Sequence, residues 1–272
     1  MKILLTGHNG FIGKNLLCYL ETHTDFDIET YEYNKNIFPQ VQGFDWVIHI
    51  GAISSTTERD LDKVMLQNVD FTTKLFDECK KYNVNLQYSS SASLYGKNTE
   101  FSEDSELDPI TPYAFSKYLC ERYHRLNQGT NIVHGFRYFN VYGNGEDNKG
   151  SQASPITQFR KQKKQNNVIK LFENSNNYYR DFVYIEDVCR IHLEFIKNVK
   201  TSGIYNIGTG SVYSFQEIAD LICSNQEYIK MPEHLQRSYQ NFTKADLNKL
   251  ESTIGKQKWT KVEDFLRSQN IN

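Results

Sequence analysis

A tyrosine and a lysine stand four residues apart in the segment Tyr113-Ala114-Phe115-Ser116-Lys117. On a helix this spacing places the phenol and the ammonium group on one face. A phenol, with a pKa of about 10, is a poor base at neutral pH, but a fixed positive charge nearby stabilises its phenolate. Tyr113 and Lys117 could therefore move a proton to and from a substrate oxygen. Taken alone, the spacing is common and also fits an ordinary surface pair.

The pair is preceded by a serine-rich run, Ser89-Ser90-Ser91-Ala92-Ser93, which follows a segment that predicts a strand. A hydroxyl at the end of a strand can hydrogen-bond to the reacting oxygen, and Ser91 is the candidate. An elimination of water would need an acid just after this hydroxyl to protonate the departing group. Ala92 and Ser93 stand there instead, so the run disfavours dehydration.

Three glycines near the start of the chain, Gly7, Gly10 and Gly13, stand at a GxxGxxG spacing. They come directly after the predicted strand Lys2–Thr6 and open a segment of helical periodicity. Glycine permits the tight turn, the close approach of a pyrophosphate and the packing of helix on strand, and a helix N-terminus attracts phosphate. In this setting the pattern indicates a dinucleotide site rather than a purely structural turn.

An acidic residue is expected about 20 positions after such a turn, where it would meet the ribose hydroxyls. Glu32 ends the second predicted strand, Asp27–Glu32, and Tyr33 stands beside it. A carboxylate there repels a 2′-phosphate and favours NAD, whereas Lys35 could reverse that preference. The choice between NAD and NADP stays open, and Glu32 could equally be an exposed charge at a strand end.

Strands and helices alternate along the chain, which predicts βαβ units and a parallel sheet with helices on both faces. The predicted fold class is α/β: a Rossmann-type doubly wound parallel sheet with a smaller C-terminal α/β substrate-binding region. We expect a dinucleotide-binding domain over residues 1–143 and a mainly substrate-binding region, which the resemblance described below assigns to a nucleotide sugar, over residues 144–272. Some Rossmann elements are expected to return after residue 180. Long helices are predicted at about Leu61–Tyr82 and Pro112–Asn127.

The composition disfavours several classes of protein. With 31 Lys+Arg against 33 Asp+Glu, the chain lacks the basic excess that is typical of nucleic-acid-binding proteins. No apolar run approaches the roughly 18–20 residues of a membrane span, and the N-terminal apolar run is too short for a signal peptide, so we expect a cytoplasmic protein. The five scattered cysteines are expected to be free and buried, and no spacing of histidines or cysteines predicts a metal site.

The glycine turn, the serine run and the Tyr–Lys pair together resemble the extended short-chain dehydrogenase/reductase family over nearly the whole chain. Within that family, six segments resemble the ADP-L-glycero-D-manno-heptose 6-epimerases: Gly51–Glu58, Phe136–Gly143, Asn148–Ser154, Lys170–Glu173, Arg180–Tyr184 and Tyr239–Leu247. The first and third of these segments distinguish such epimerases from related sugar-modifying enzymes.

This resemblance implies a nucleotide-sugar epimerase that uses NADP or NAD, with NADP slightly favoured, and that forms a homo-oligomer. It implies that hydride leaves C6 of the heptose for the nicotinamide and gives a C6 carbonyl, that the C5–C6 bond rotates, and that hydride returns to the other face. A proton-transfer group is needed on each side of the carbonyl carbon, and the resemblance gives Tyr113 one role and Lys149 the other. A lysine acts as a base beside other cations or in a dry pocket, so we expect Lys149 in such surroundings.

The resemblance and the motifs together give three sets of site residues. The catalytic set is Tyr113, Lys117, Lys149 and Ser91. The cofactor-binding set is Gly7, Gly10, Phe11, Ile12, Gly13, Glu32, Tyr33, Lys35, Ile50, Gly51, Ala52, Ile53, Ser54, Gln67, Lys117 and Val141. The substrate-binding set is Ser91, Asn140, Ser151, Gln158, Phe172, Glu173, Asn174, Ser175, Arg180, Arg237 and Tyr239, in which the two arginines suit the diphosphate of a nucleotide sugar.

Three departures from the family pattern bear on specificity. The connection Tyr33–Asp45 is short where the family has a longer insert that reaches the adenine. Gln67 replaces an asparagine near the nicotinamide ribose, although Asn68 is adjacent, and Gln158 replaces a histidine that contacts the substrate.

Two alternative functions remain open. One is another NAD(P)-dependent nucleotide-sugar epimerase or reductase; a 4-epimerase would not need Lys149. The other is a dinucleotide-binding protein without catalysis. Such proteins typically lose the tyrosine or the lysine, and this chain keeps both.

Overall fold

The computed structural model describes residues 1–233 and 239–269, with the side chains of Asn148 and Ser151 left out. Its strands are β1 (Lys2–Thr6), β2 (Asp27–Tyr31), β3 (Trp46–His49), β4 (Asn85–Ser91), β5 (Val133–Tyr138), β6 (Asn140–Tyr142), β7 (Ile169–Phe172), β8 (Tyr179–Arg180), β9 (Phe182–Tyr184), β10 (Gly203–Ile207), β11 (Tyr213–Ser214), β12 (Gln226–Ile229) and β13 (Phe242–Thr243). Its α-helices are α1 (Phe11–His23), α2 (Leu61–Val64), α3 (Phe71–Lys81), α4 (Pro112–Leu126), α5 (Pro155–Asn166), α6 (Ile185–Asn198), α7 (Phe215–Ile222), α8 (Asn248–Ile254) and α9 (Val262–Ser268).

The largest sheet has six parallel strands in the order β10-β5-β4-β3-β1-β2. Its central strands are apolar and buried, as the WVIH run of β3 illustrates, because helices cover both faces. Helices α1 and α6 pack on one face through Leu16 and Ile191, and α3 and α4 pack on the other through Leu75 and Cys120. The predicted α/β, Rossmann-type class is therefore confirmed.

The order of the strands reverses at β1. The chain goes from β1 outward to β2 and then crosses back to place β3 on the other side of β1. In sheets of this kind, ligands bind in the crevice at the point of reversal. Here that crevice lies at the carboxyl ends of β1 and β3. The glycine turn follows β1 and the segment Ile50–Ser54 follows β3, so both border this crevice.

A single strand, β2, lies beyond β1 in this sheet, and residues 32–45, all described, form no further strand or helix of it. The connection instead folds back over α3. The rings of Tyr33 and Phe38 contact the ring of Phe71 at centroid distances of 5.4 and 5.3 Å. The connection that was predicted to be short therefore leaves the sheet with one strand, β2, outside β1.

The C-terminal part adds three small sheets at the carboxyl ends of the large one. They pair β6 with β9, β7 with β12, and β8 with both β11 and β13. A separate apolar cluster joins α5, α7 and α9 through Ile156, Ile218 and Phe265. After residue 180, however, α6 and β10 return to the large sheet and its helix layer.

Three details differ from or extend the sequence analysis. The predicted helix Leu61–Tyr82 is interrupted by a π-helical segment, Met65–Asp70, between α2 and α3. Cys18 is exposed, whereas the other four cysteines are buried. Helices α8 and α9 were not predicted.

The described residues contain neither a membrane-spanning helix nor a metal-binding group of side chains. Across 1–233 and 239–269, no helix has the length and apolar character needed to cross a membrane. In the same ranges no three His, Cys, Asp or Glu side chains are grouped so that they could hold a metal ion.

Candidate active site

Helix α4 carries the Tyr–Lys pair on one face. It begins after Thr111, whose side chain accepts a hydrogen bond from the N–H of Ala114 at 3.1 Å, and Pro112 stands in its first turn. A threonine cap and a proline at this point fix where a helix starts. Tyr113 therefore lies in the first turn, and Lys117 lies one turn further along the same face.

Lys117 is buried and reaches the end of β4. Its Nζ donates hydrogen bonds to the backbone oxygen of Ser89 at 2.8 Å and to the Ser89 hydroxyl at 3.1 Å. The same Nζ lies 5.9 Å from the centre of the Tyr113 ring. Burial lowers the pKa of Lys117 to about 8, because the ammonium form loses hydration. Most Lys117 side chains therefore still carry a charge at neutral pH.

Burial of the phenol raises the pKa of Tyr113, and the neighbouring Ser91 side chain opposes that rise. Lys117 was expected to favour the phenolate and so lower this pKa, but burial raises it, and Ser91 rather than Lys117 opposes the rise. Ser91 Oγ accepts hydrogen bonds from the Ser93 N–H at 3.2 Å and from the Ser93 hydroxyl at 2.9 Å. Because Ser91 accepts both bonds, its own proton is available to an oxygen in the cavity.

Asn68 is a structural part of the site that the sequence analysis noted only as the neighbour of Gln67. It is fully buried in the π-helical segment. Its side chain exchanges two hydrogen bonds with the backbone of Ile53, at 2.8 and 3.0 Å, and donates a third to Ser116 Oγ at 3.0 Å. Asn68 therefore ties the loop after β3 to α4. The extra residue of a π-bulge leaves no clear sequence signal, although such bulges are frequent at functional sites.

The glycine turn after β1 forms a cradle that side chains would fill. Gly7 has a φ of +78°, and a Cβ atom there would lie 2.3 Å from the Gly51 nitrogen. A Cβ atom on Gly13 would lie 2.1 Å from the Gly7 oxygen. Helix α1 starts after Gly10 with no side-chain cap and no acidic residue in its first turn. Its free N–H groups and the open backbone fit the pyrophosphate of a dinucleotide.

A cleft of about 120 Å³ continues from the glycine turn toward the outer edge of the sheet. Its lining includes five of the predicted cofactor-binding residues besides Gly7: Glu32, Tyr33, Gly51, Ala52 and Gln67. Glu32 Oε1 accepts a hydrogen bond from the Asn9 N–H at 2.6 Å, which leaves its second carboxylate oxygen for a ribose hydroxyl. Lys35 is exposed and does not line this cleft.

A larger cavity of about 430 Å³ opens above the carboxyl ends of the strands. The residues predicted as catalytic, cofactor-binding or substrate-binding that line it are Ile12, Ser54, Ser91, Tyr113, Asn140, Val141, Lys149, Arg180 and Tyr239. Tyr113 and Lys149 therefore share one cavity, although they stand 36 positions apart in the chain.

Arg180 is a buried cation in the wall of this cavity, with 7% of its surface exposed. Its guanidinium carbon lies 5.3 Å from the ring centres of both Phe215 and Tyr239, and its NH1 donates to the Tyr179 carbonyl at 2.9 Å. Burial lowers the pKa of Arg180. No carboxylate within the described residues pairs with it, so the site has a positive charge that suits an anionic ligand.

Lys149 is held beside a carboxylate rather than beside other cations. Its Nζ lies 3.7 Å from Glu146 Oε1 and 5.4 Å from the centre of the Phe11 ring, and about a third of the side chain is exposed. These surroundings differ from the expected cluster of cations or fully dry pocket. Lys149 lies beside Glu146 because the 3₁₀ segment Glu146–Gln152 places these two side chains one turn apart.

The remaining predicted residues lie elsewhere. Gln158 does not line the cavity; its amide donates to the carbonyl of Ala153, which does line it, at 2.6 Å. The segment Phe172–Ser175 lies at the end of β7 outside the cavity lining, where Phe172 contacts Tyr239 at 6.4 Å between ring centres. Arg237 lies outside the described residues, as does the side chain of Ser151.

Other polar residues that line the cavity were not predicted. Arg59, Thr57, Thr111, Gln152 and Gln240 are among them. Arg59 follows directly after the Gly51–Glu58 segment that carries the family resemblance. Its place in the sequence was the one feature that could have predicted it as a site residue.

Comparison with known proteins places these observations in a wider group. The family model described as the NAD dependent epimerase/dehydratase family matches residues 3–208. The ADP-L-glycero-D-manno-heptose-6-epimerase of Helicobacter pylori is 25% identical, with a TM-score of 0.87; the match covers 98% of this chain and 94% of that one.

Two further structures share the fold. The UDP-glucose 4-epimerase of Thermotoga maritima, in complex with UDP-glucose, is 24% identical with a TM-score of 0.84, over 98% of this chain and 96% of that one. The RMD protein of Pseudomonas aeruginosa, in complex with NADPH, is 22% identical with a TM-score of 0.81, over 98% and 96%.

Proposed function

Because the chain belongs to the NAD dependent epimerase/dehydratase family, we propose that it is a nucleotide-sugar epimerase that inverts C6 of ADP-D-glycero-D-manno-heptose. The observation that carries the proposal is the presence of Tyr113 and Lys149 in the wall of one cavity. Epimerisation at an exocyclic carbon requires a proton-transfer group for each of the two positions of the reacting oxygen. The similarity to the Helicobacter pylori epimerase supports the same choice of sugar.

The proposed chemistry divides the work between four side chains. Tyr113 removes the proton of the C6 hydroxyl while Ser91 hydrogen-bonds to the same oxygen, and the charge of Lys117 stabilises the phenolate form of Tyr113. A nicotinamide dinucleotide held by Gly7, Gly13 and the N-terminus of α1 would supply the hydride acceptor and donor for C6. The substrate passes through a C6 ketone, and rotation about the C5–C6 bond presents the other face of its carbonyl group. Lys149 then supplies the proton to the oxygen in its new position.

Binding is assigned to the cavity's cations and to the glycine cradle. Arg180, buried and without a carboxylate partner in the described chain, would bind the diphosphate of the nucleotide sugar. Gly7, Gly13 and the N-terminus of α1 would hold the pyrophosphate of the cofactor, and Glu32 its ribose.

The test is a proton NMR time course of the purified protein with ADP-D-glycero-D-manno-heptose, without and then with added NAD or NADP. We expect conversion to the L-glycero epimer. Comparison of the rates without and with added cofactor shows whether the purified protein retains a cofactor in the small outer cleft. Absence of conversion with either cofactor, when calorimetry shows that the cofactor binds, would reject this substrate.

A second substrate class is favoured by one observation. Arg59 is exposed in the cavity wall, and no acidic side chain in residues 1–233 and 239–269 forms an ion pair with it. An unpaired guanidinium in a sugar site suits a nucleotide sugar with a carboxylate on the sugar. The same NMR assay with UDP-glucuronic acid separates the two substrate classes. Turnover of UDP-glucuronic acid but not of the heptose nucleotide would make the acidic sugar the substrate class instead of the heptose.

A further inference from the structure

A buried ion pair lies directly behind the active site. Arg137 on β5 and Glu121 on α4 are 0% and 1% exposed, and the guanidinium donates to both carboxylate oxygens, at 2.9 and 2.6 Å. The proposed chemistry uses neither residue. Removing two charges from water is costly, so a structural role alone would be served as well by packed apolar side chains.

Glu121 continues the line of functional residues along α4. Tyr113, Lys117 and Glu121 stand at successive intervals of four residues, which places them on one face of the helix. That face meets the last three residues of β4, one to one. Lys117 donates hydrogen bonds to Ser89, Glu121 accepts one from the Ser90 hydroxyl at 2.5 Å, and Tyr113 shares the cavity wall with Ser91.

The strand register completes the connection. Ser90 pairs with Arg137 across β4 and β5, so the serine and the arginine that contact Glu121 are neighbours on adjacent strands. Ser90 therefore has its backbone held by the sheet and its hydroxyl held by the ion pair. A shift of Ser90 would turn the carbonyl of Ser89 away from Lys117 and the hydroxyl of Ser91 away from Tyr113.

We propose that Glu121 and Arg137 are positioning residues of the active site, which fix the strand end that presents Ser89 to Lys117 and Ser91 to Tyr113. This inference rests on the proposed epimerase function only for the choice of assay. Glu121 has a second effect, because its negative charge favours the ammonium form of Lys117 and raises the pKa of that lysine. Burial has the opposite and larger effect on the same group.

The test compares three variants: Ser90→Ala, Glu121→Gln and Tyr95→Phe. The first removes the link from Glu121 to the strand but keeps the ion pair, and the second removes the carboxylate charge. Tyr95→Phe is the matched control, since it deletes the hydroxyl that Arg137 NH1 contacts at 2.9 Å and leaves Ser90 and Glu121 joined. Circular dichroism first establishes that each variant is folded.

For Ser90→Ala and Glu121→Gln we expect kcat to fall by about tenfold or more, because small misplacements of catalytic groups cost this much, with KM within about twofold of wild type. Tyr95→Phe should keep the wild-type kcat. A second readout needs no substrate: the ¹⁵N chemical shift of Lys117 Nζ, assigned with Lys117→Arg, should titrate near pH 8 in the wild type and at lower pH in Glu121→Gln.

The two readouts separate this proposal from the choice of sugar. If wild type does not turn over the heptose nucleotide, the proposed function fails while the lysine titration still tests the effect of Glu121. If Glu121→Gln does not fold, the kcat of Ser90→Ala alone tests the proposed positioning role. Folded Ser90→Ala and Glu121→Gln proteins with wild-type kcat and an unchanged Lys117 titration would overturn the proposal.

Discussion

The Nζ atom of Lys149 lies 3.7 Å from Oε1 of Glu146, a carboxylate that is itself almost completely buried. Glu146 is held in turn by the backbone N–H and hydroxyl of Ser154, at 2.5 and 2.7 Å, and by the hydroxyl of Thr157 at 2.6 Å. A carboxylate fixed in this way anchors the flexible lysine at the cavity wall. The lysine can therefore be placed for proton transfer without other cations around it.

Lys149→Ala should reduce C6 epimerisation by about 10²- to 10⁴-fold, the usual contribution of a general acid or base. Binding of the nucleotide sugar should change little, and oxidation or reduction of an aldehyde-level substrate analogue should survive, because Tyr113 remains. The assay is NMR for epimerisation and absorbance of the reduced cofactor for the half-reaction. Lys161→Ala is the control, since Lys161 pairs with Asp147 outside the cavity lining. A variant altered only in KM would make Lys149 a binding residue.

Arg180→Ala should weaken binding of the nucleotide sugar by about tenfold to a hundredfold, since hydrogen bonds to charged groups contribute about 1.5–3 kcal/mol. The loss should appear equally with ADP alone, because the diphosphate is the group that Arg180 is proposed to bind. Calorimetry with ADP measures this directly. Arg267→Ala, at a surface arginine whose side chain is 75% exposed, is the matched control. Equal affinities in the wild type and Arg180→Ala would rule out the phosphate role.

Glu32 should make the protein prefer NAD to NADP. Its carboxylate lines the cleft beside the glycine turn, whereas Lys35, the residue that could have attracted a 2′-phosphate, is exposed and does not line that cleft. Dissociation constants for NAD⁺ and NADP⁺, measured by calorimetry, should differ in favour of NAD⁺. Glu32→Ala should narrow the difference in affinity, because the carboxylate no longer repels the 2′-phosphate of NADP⁺. Lys35→Ala should leave the difference in affinity nearly unchanged. Tighter binding of NADP⁺ by the wild type contradicts this assignment.

Acid should destabilise the protein through its buried histidines. Burial lowers the pKa values of His49, His134 and His192 from 6.5 to about 3. Between these values the unfolded chain binds more protons than the folded one. The free energy of unfolding is therefore undiminished above pH 6.5 and falls as the pH drops toward 3, by up to about 1.4 kcal/mol per pH unit for each histidine.

Urea unfolding at several pH values between 7.5 and 4.5 measures this slope. His192→Gln should reduce it, because His192 is held in its neutral form between Gln87 Oε1 and the Tyr138 hydroxyl, each at 2.6 Å. The exposed His23, replaced by glutamine, is the control for the loss of a histidine side chain at the surface. A free energy of unfolding that stays constant down to pH 4.5 would show that the buried histidines are not linked to acid stability.

Much of the site could be predicted because its signals are local. The four-residue spacing of Tyr113 and Lys117 depends only on helical periodicity, and Gly7 and Gly13 are required by contacts within one strand–turn–helix unit. The short Tyr33–Asp45 connection was visible from its length alone. Its consequence, a sheet with one strand beyond β1, follows because those residues suffice only to fold back over Phe71.

Other features depend on contacts that sequence does not display. A π-bulge makes Asn68, rather than Gln67, the buried residue that joins the loop after β3 to α4. The partner of Lys149 is a glutamate because a 3₁₀ turn, not a cation cluster, surrounds it. Glu121 and Arg137 were not singled out, since their pairing requires β4, β5 and α4 to be packed together.

Removal and return of the same hydride should invert C6 of the sugar. The most direct measurement uses ADP-D-glycero-D-manno-heptose deuterated at C6, incubated with the protein in ordinary water and followed by NMR. Our account predicts the L-glycero epimer with deuterium retained at C6. Loss of deuterium to solvent during inversion would contradict it, because the hydrogen would then have left as a proton.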